Sequence, residues 1–251
     1  MKGALVTGAG MRIGRAFAMA LAADGLFVFV HHNRSAAAAR ETVAAIVAAG
    51  GKAKAVKADL SSARQAEALV GRCQAKGVRL TCLVNSASVF ELDRAPMATA
   101  AGFDRHMAVN LRAPLLLSQA LARQLPENEA GLIVNVLDQK LFNLNPDFLT
   151  YTLSKIGLQG LTTLLAQSFA PRLRVAGIAP GLTMRSGSQT DARFAEQHRQ
   201  NPLAIGVATE DLVRALRFVM STPSYTGDVL IVDSGEHLTG RPRDIAFHKK
   251  K

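Results

Sequence analysis

Tyr151 and Lys155 stand four residues apart in a segment of helical apolar spacing, so a helix projects both from one face. An ammonium beside a phenol stabilises the phenolate and lowers its pKa toward neutrality, which suits a tyrosine that passes protons. A second chemical feature opens the chain, Thr7-Gly8-Ala9-Gly10-Met11-Arg12-Ile13-Gly14. Glycines at a strand-to-helix turn let the backbone approach a pyrophosphate, whose charge is favourable at a helix N-terminus. Alone, such a turn is also a simple tight connection. A third feature is His31-His32-Asn33-Arg34-Ser35 at the end of the second apolar run. An NAD site ordinarily carries an acid there for the ribose hydroxyls. Here the acid is missing, and Asn33, Arg34 and Ser35 offer donors suited to a 2′-phosphate, so the cofactor these residues fit is NADP. His31 and His32 are adjacent on a strand and face opposite sides, so no metal site is expected.

Asn110 draws notice through a neighbour. Pro114, four residues on in the same expected helix, has no N–H to bond the Asn110 carbonyl, so a bulge or kink is expected there. A free carbonyl near the lysine could hold a water of a proton relay. A kinked helix without chemistry fits the local sequence equally well.

These residues need a scaffold, and the apolar pattern supplies one. Expected strands cover 3–7, 26–31, 53–57, 80–85, 132–136, 175–178 and 229–232. Expected helices cover 12–23, 36–49, 63–75, 100–123, 150–170 and 210–220. The Val/Ile/Leu runs are continuous rather than alternating, as in strands covered on both faces. Strand–helix alternation then predicts a single α/β domain: a doubly wound, Rossmann-type, seven-stranded, mostly parallel sheet flanked by helices. Residues 1–240 form this domain, with a polar, poorly periodic stretch at 184–201 read as a loop or small lid and the substrate loop set at about 184–205. Residues 241–251 are read as a solvated, basic, mobile tail.

The formal charge is +11, of which Arg241, Arg243 and three terminal lysines against Asp244 carry +4. Such a balance suits an anionic dinucleotide and would also attract nucleic acid or an acidic membrane. No arginine-rich aromatic stripe accompanies it, so neither of those partners is expected. No apolar stretch approaches the ~20 residues that span a bilayer. Two cysteines, Cys73 and Cys82, make neither a disulfide framework nor a metal set, and a cytoplasmic, reducing location is expected.

Taken in order, Thr-Gly-x-x-x-Arg-x-Gly at residues 7–14, Asp59, Asn85-Ser86-Ala87-Ser88, Asn110, Tyr151, Lys155 and Pro180-Gly181 resemble the short-chain dehydrogenase/reductase family along nearly the whole chain. The resemblance implies that Gly8, Arg12, Ile13 and Gly14 receive the dinucleotide, that Asp59 with Leu60 lies at the adenine, and that Asn85, Ser86 and Ala87 wall the adenosine ribose. It implies that Lys155 also holds the nicotinamide ribose, that Pro180, Gly181 and Thr183 border the nicotinamide, and that Asn110 belongs to the catalytic set. One position departs from the family: Asp138 stands thirteen residues before the tyrosine, where a serine is usual. Pteridine reductases, a branch of the family, share this aspartate. They also share an arginine at Arg12, the Asn-x-Ala-Ser-x-Phe pattern of residues 85–90, and an Arg-Ser pair near Arg34. The resemblance to that branch assigns Arg12, Ser88 and Phe90 to the substrate.

Physical chemistry agrees, since a flat heterocycle gains from stacking on Phe90 and its N–H groups want a carboxylate more than a hydroxyl. Phe90 as plain core packing shares the same burial signal. The expected activity is hydride transfer from NADPH to a pteridine, with Asn110, Asp138, Tyr151 and Lys155 as catalytic residues. A carbonyl reductase acting on a 3-oxoacyl or other small ketone is the alternative enzyme, and a non-catalytic NADPH-binding protein the alternative class. Leu153, Leu158, Leu161 and Leu165 offer an apolar face for a homo-oligomer, a dimer or tetramer.

Overall fold

A computed structural model of the chain describes residues 1–185 and 189–247. Strand and helix alternate from the start: β1 (Lys2–Val6), α1 (Arg12–Ala23), β2 (Phe27–His32), α2 (Ala36–Ala48), β3 (Lys52–Lys57), α3 (Ala63–Arg72) and β4 (Arg79–Asn85). The second half runs α4 (Ala100–Met107), α5 (Ala113–Gln124), β5 (Gly131–Val136), α6 (Leu149–Phe169), β6 (Leu173–Pro180), α7 (Asp191–Gln197), α8 (Thr209–Ser221) and β7 (Val229–Val232). The seven strands form one sheet in the order β3-β2-β1-β4-β5-β6-β7, and every pairing is parallel. The mostly parallel sheet expected from sequence is therefore parallel throughout.

Alternate residues of each strand feed two cores. Ala4, Val6, Val28 and Val30 pack with Phe17 and Leu21 of α1 and with α8. Leu5, Phe29, Leu83 and Ile133 pack on the opposite face with α3 and α5. Phe17 and Leu21 are fully buried, and each such side chain contributes about 1.5–3 kcal/mol. Successive strands are added outward from β1 to β3 on one side and from β4 to β7 on the other, and this switch of strand order opens a crevice at the carboxyl ends of β1 and β4, where ligands of such sheets bind.

Three expectations change. The helix foreseen over 100–123 is interrupted by a π-helical turn, Ala108–Arg112, ahead of Pro114. This is the bulge that the missing Pro114 N–H demands. The stretch read as a loop contains α7, capped by the Thr190 hydroxyl. Seven residues with one large apolar side chain, Phe194, are too short to show a helical period. The tail does not leave the surface at residue 241: Ile245–Phe247 form a 3₁₀ turn packed on the body. Residues 186–188 of the expected substrate loop and 248–251 of the expected tail lie outside the described residues. Among the described residues, no helix is long and apolar enough to cross a membrane.

Of the leucines expected on an association face, Leu158 and Leu165 are buried in the core. The exposed apolar residues of α6 are Leu153, Ile156 and Leu164, and Phe103 is exposed on α4.

Candidate active site

The crevice at the switch point deepens into a cleft of about 1300 Å³. Its first end is built by the turn after β1. Gly8 adopts φ +65°, a region that costs a side chain strain, and a Cβ there would lie 2.9 Å from the Ala87 backbone. A Cβ on Gly14 would lie 2.5 Å from the Gly8 carbonyl, so the turn and α1 meet backbone to backbone. His31 fixes this turn from beneath. The Gly8 N–H donates to His31 Nδ1 (3.1 Å), and His31 Nε2 lies 3.1 Å from the Ala58 carbonyl. Accepting on one nitrogen leaves the other to donate, so the ring is neutral, and burial pushes its pKa down to about 4.

Asn33, Arg34 and Ser35 are exposed at the rim of the cleft, where β2 gives way to α2. Asp59 and Leu60 line the same end. The Asp59 carboxylate accepts from the Ser61 hydroxyl (2.7 Å) and N–H (2.9 Å), which hold it below its ordinary pKa. Ser86 and Ala87 line the cleft as well, and both of their N–H groups donate to the Thr7 hydroxyl. Asn85 does not line it. Its amide donates to Asn135 (2.8 Å), which donates to Thr162 (2.9 Å), a buried ladder joining β4, β5 and α6.

The second end gathers Tyr151, Lys155 and Asp138. Tyr151 and Lys155 sit in the first two turns of α6, whose N-terminus is held by Asp93. That carboxylate accepts from the Thr150 N–H (3.1 Å) and hydroxyl (2.5 Å). Asp138 follows β5 and is fixed by a Lys140 N–H bond of 2.9 Å to Oδ1. Its Oδ2 accepts from the Tyr151 hydroxyl at 2.6 Å. Lys155 Nζ donates to the Val136 carbonyl at 2.7 Å.

The electrostatics here overturn one expectation. Burial, then the Asp138 carboxylate, raises the Tyr151 phenol well above its ordinary pKa, where the lysine was expected to lower it. Burial also raises the Asp138 carboxyl and pushes the Lys155 ammonium down to about 8. The ammonium is directed to a carbonyl and the phenol to a carboxylate, so one proton is held between Tyr151 and Asp138.

Asn110 does not line the cleft. Its side chain receives the Val89 N–H (2.8 Å) and donates to the Val89 carbonyl (2.9 Å) and the Ser154 hydroxyl (3.0 Å). The π-turn thus ties the loop after β4 to α6. That loop brings Ser88 and Phe90 into the cleft. Phe90 is 46% exposed. One face stacks on Phe148 at 4.2 Å, and its ring meets Tyr151 edge-on at 4.7 Å. Arg12 lines the cleft with φ +57°, and its guanidinium donates to the backbone carbonyls of Arg185 and Met184.

Pro180, Gly181 and Thr183 line the cleft where β6 ends. Beside them is a residue that the sequence did not single out. Glu236 accepts from the Leu182 N–H (3.1 Å) and pairs with Arg241 (3.4 Å), and burial raises its carboxyl to about 7. Lys140 and Asp244, also in the cleft, were missed as well. Lys140 follows Asp138 by two residues, a proximity that could have drawn attention, whereas Asp244 was absorbed into a presumed solvated tail.

The residues suit a dinucleotide on their own chemistry: a close-packed glycine turn at a helix N-terminus, and a donor-rich strand end without a carboxylate. Comparison with known proteins agrees. A family model described as short chain dehydrogenase matches residues 2–197. An uncharacterised oxidoreductase of Methylorubrum extorquens is 35% identical over 242 residues, spanning 93% of this chain and 97% of its own. A 3-oxoacyl-(acyl-carrier-protein) reductase of Synechocystis is 32% identical over 237 residues, spanning 92% and 95%. The crystal structure of FolM alternative dihydrofolate reductase 1 from Brucella suis, in complex with NADP, superposes with a TM-score of 0.90 at 38% identity, covering 94% of this chain and 95% of that one. Several similar solved structures hold NADP. The chain belongs to the short-chain dehydrogenase/reductase family of oxidoreductases.

Proposed function

We propose that the chain is an NADPH-dependent reductase of a pteridine-type ring. The observation that carries this reading is the Tyr151–Asp138 pair, a phenol and a carboxylate 2.6 Å apart where the family usually has tyrosine and serine. NADPH, when bound, supplies the hydride. The other roles fall to the chain. Arg34, Ser35 and Asn33 hold the 2′-phosphate, while Gly8, Ile13 and Gly14 admit the pyrophosphate to the start of α1. Asp59 and Leu60 flank the adenine, Ser86 and Ala87 the ribose, and Pro180, Gly181 and Thr183 the nicotinamide. Lys155 binds the nicotinamide ribose. Ser88 and the open face of Phe90 orient the substrate ring, with Arg12 at its edge.

Asp138 accepts from the ring's N–H groups, and the proton it shares with Tyr151 completes reduction of the C=N bond. Burial raises the Asp138 carboxyl, which makes it a better proton holder than an exposed carboxylate. Asn110 and Asn85 act behind the cleft, holding the loop that carries Ser88 and the strands beneath it. The FolM resemblance supports this branch, and the 3-oxoacyl reductase relative favours the second reading, reduction of a ketone. NADPH oxidation measured with dihydrobiopterin, dihydromonapterin, dihydrofolate and a ketone panel separates them. Turnover of pterins is expected, and efficient turnover of a ketone with no pterin bound or reduced overturns the proposal.

A further inference from the structure

Residues 241–247 double back over the substrate end of the cleft, where Asp244, Ile245, Ala246 and Phe247 form part of its lining. Two sets of contacts hold them. On the body side, fully buried Asp147 accepts from Arg243 Nε (2.7 Å) and Nη2 (2.9 Å), from the Asp244 N–H (3.0 Å) and from Arg94 Nε (2.6 Å). Burial alone would raise that carboxyl, but Arg243, the Asp244 N–H and Arg94 outweigh it and hold it well below the usual carboxylate range. The guanidinium carbons of Arg94 and Arg243 stand 5.1 and 5.4 Å from the Phe247 ring centroid. On the α7 side, Gln197 donates to the Ile245 carbonyl (2.6 Å) and Arg193 to that of Ala246.

The segment so held presents a carboxylate to the cleft. Asp244 Oδ2 accepts from the buried Lys140 ammonium (3.0 Å) and Oδ1 from the Ala246 N–H (3.0 Å). A carboxylate has about four lone-pair positions, so capacity remains for a ligand. Nearby, Gln139 Oε1 is buried with no hydrogen-bond partner among the described residues, and Gln139 also lines the cleft. The Lys140 ammonium is already engaged by Asp244 and Asn145. These bonds take two of the three Lys140 N–H donors, while the open positions on Asp244 and Gln139 Oε1 are acceptors. A ligand edge bearing N–H donors would satisfy them, and a plain ketone would leave them unmet, at a cost in binding.

We propose that residues 241–247 are the specificity wall of the substrate site. Asp244 accepts from an amino or ring N–H group of the substrate, and Asp147 is the positioning residue that latches the wall. This rests on the pteridine reading and adds to it the group that selects an amino-bearing ring. The test uses the full chain loaded with NADP⁺, which has no hydride to deliver, and two probes, 2-amino-4-oxopteridine and 4-oxopteridine, which lacks the amino group. Calorimetry is expected to show the amino ring bound about tenfold tighter or more, the scale of a hydrogen bond to a charged group. In Asp244→Asn the two rings should come within roughly twofold of one another while NADPH affinity holds.

Asp147→Asn, with Arg243→Gln as a milder second variant, should raise KM for dihydrobiopterin with kcat and NADPH affinity nearly unchanged. A merely structural residue would lower kcat, NADPH affinity and the melting temperature together. If both latch variants unfold, Asp244→Asn decides. An amino preference that survives in Asp244→Asn, or is absent from the unaltered protein, while dihydrobiopterin is still reduced overturns the wall and leaves the pteridine reading standing. If the unaltered protein neither binds nor reduces any pterin, that reading fails and the wall with it.

Discussion

The proton held between Asp138 and Tyr151 makes the phenol's contribution measurable. Tyr151→Phe keeps the ring that touches Phe90 and removes the hydroxyl, so NADPH binding should survive while kcat falls about 10²-fold, the scale of general acid–base assistance. Turnover near the original rate would hand the proton to Asp138 alone. At the other end of the cleft, Arg34→Ala should weaken NADPH by about 1.5–3 kcal/mol and leave NADH nearly untouched. Fluorescence titration with both nucleotides decides, and tighter binding of NADH to the unaltered protein would sink the assignment. His31 gives a stability prediction. Its pKa falls from 6.5 to about 4 on folding, so between those values the unfolded chain binds more protons than the folded one. The stability held above pH 6.5 is therefore lost as pH falls toward 4. Melting curves across this window should show the loss in the native chain and a shallower slope in His31→Gln; equal slopes would mean that the ring is not the group that titrates.

The turn between β1 and α1 works by the absence of side chains, and its tolerance can be tested directly. A methyl at Gly14 would meet the Gly8 carbonyl at 2.5 Å, and backbone cannot yield as a flexible side chain can. Gly14→Ala should cost on the order of 1–3 kcal/mol of stability, the usual penalty of overpacking, and reduce nucleotide affinity as well. Chemical denaturation and nucleotide titration check the two effects, and an unperturbed variant would mean that the turn has room the geometry denies. The π-turn Ala108–Arg112 is the helical counterpart of this device. It directs the Asn110 side chain toward Val89 and Ser154, so a backbone irregularity at one element anchors the loop that brings Ser88 and Phe90 to the cleft.

Among the described residues, α6 exposes Leu153, Ile156 and Leu164, and α4, which packs on α6, exposes Phe103. Leu164 is 60% exposed, a heavy concession for a leucine inside a 21-residue helix unless another copy covers it. Light scattering is expected to return a multiple of the 26.7 kDa chain mass, and Leu164→Glu is expected to shift it toward that mass. A native chain that already runs as a monomer at micromolar concentration would remove this face from consideration.

Rules that act over a few residues were readable in advance. Uninterrupted apolar runs announced buried parallel strands, the spacing of Tyr151 and Lys155 put them on one face, and Pro114 signalled the bulge that became a π-turn. The acid-free strand end singled out in the sequence does line the cleft. Direction and partner over long separations were not readable. Lys155 was expected to act on the phenol, but in the fold its ammonium meets the Val136 carbonyl and the phenol meets Asp138. Leu158 and Leu165 were taken for surface because apolar periodicity marks a buried face without saying what buries it. The basic residues after Gly240 were taken for a solvated tail because their counter-charge, Asp147, lies 96 residues from Arg243 along the chain. A charge has its low-energy partner only once the fold has paid the entropy of bringing the two together, and that pairing is a property of the assembled sheet and helices, not of any stretch of sequence.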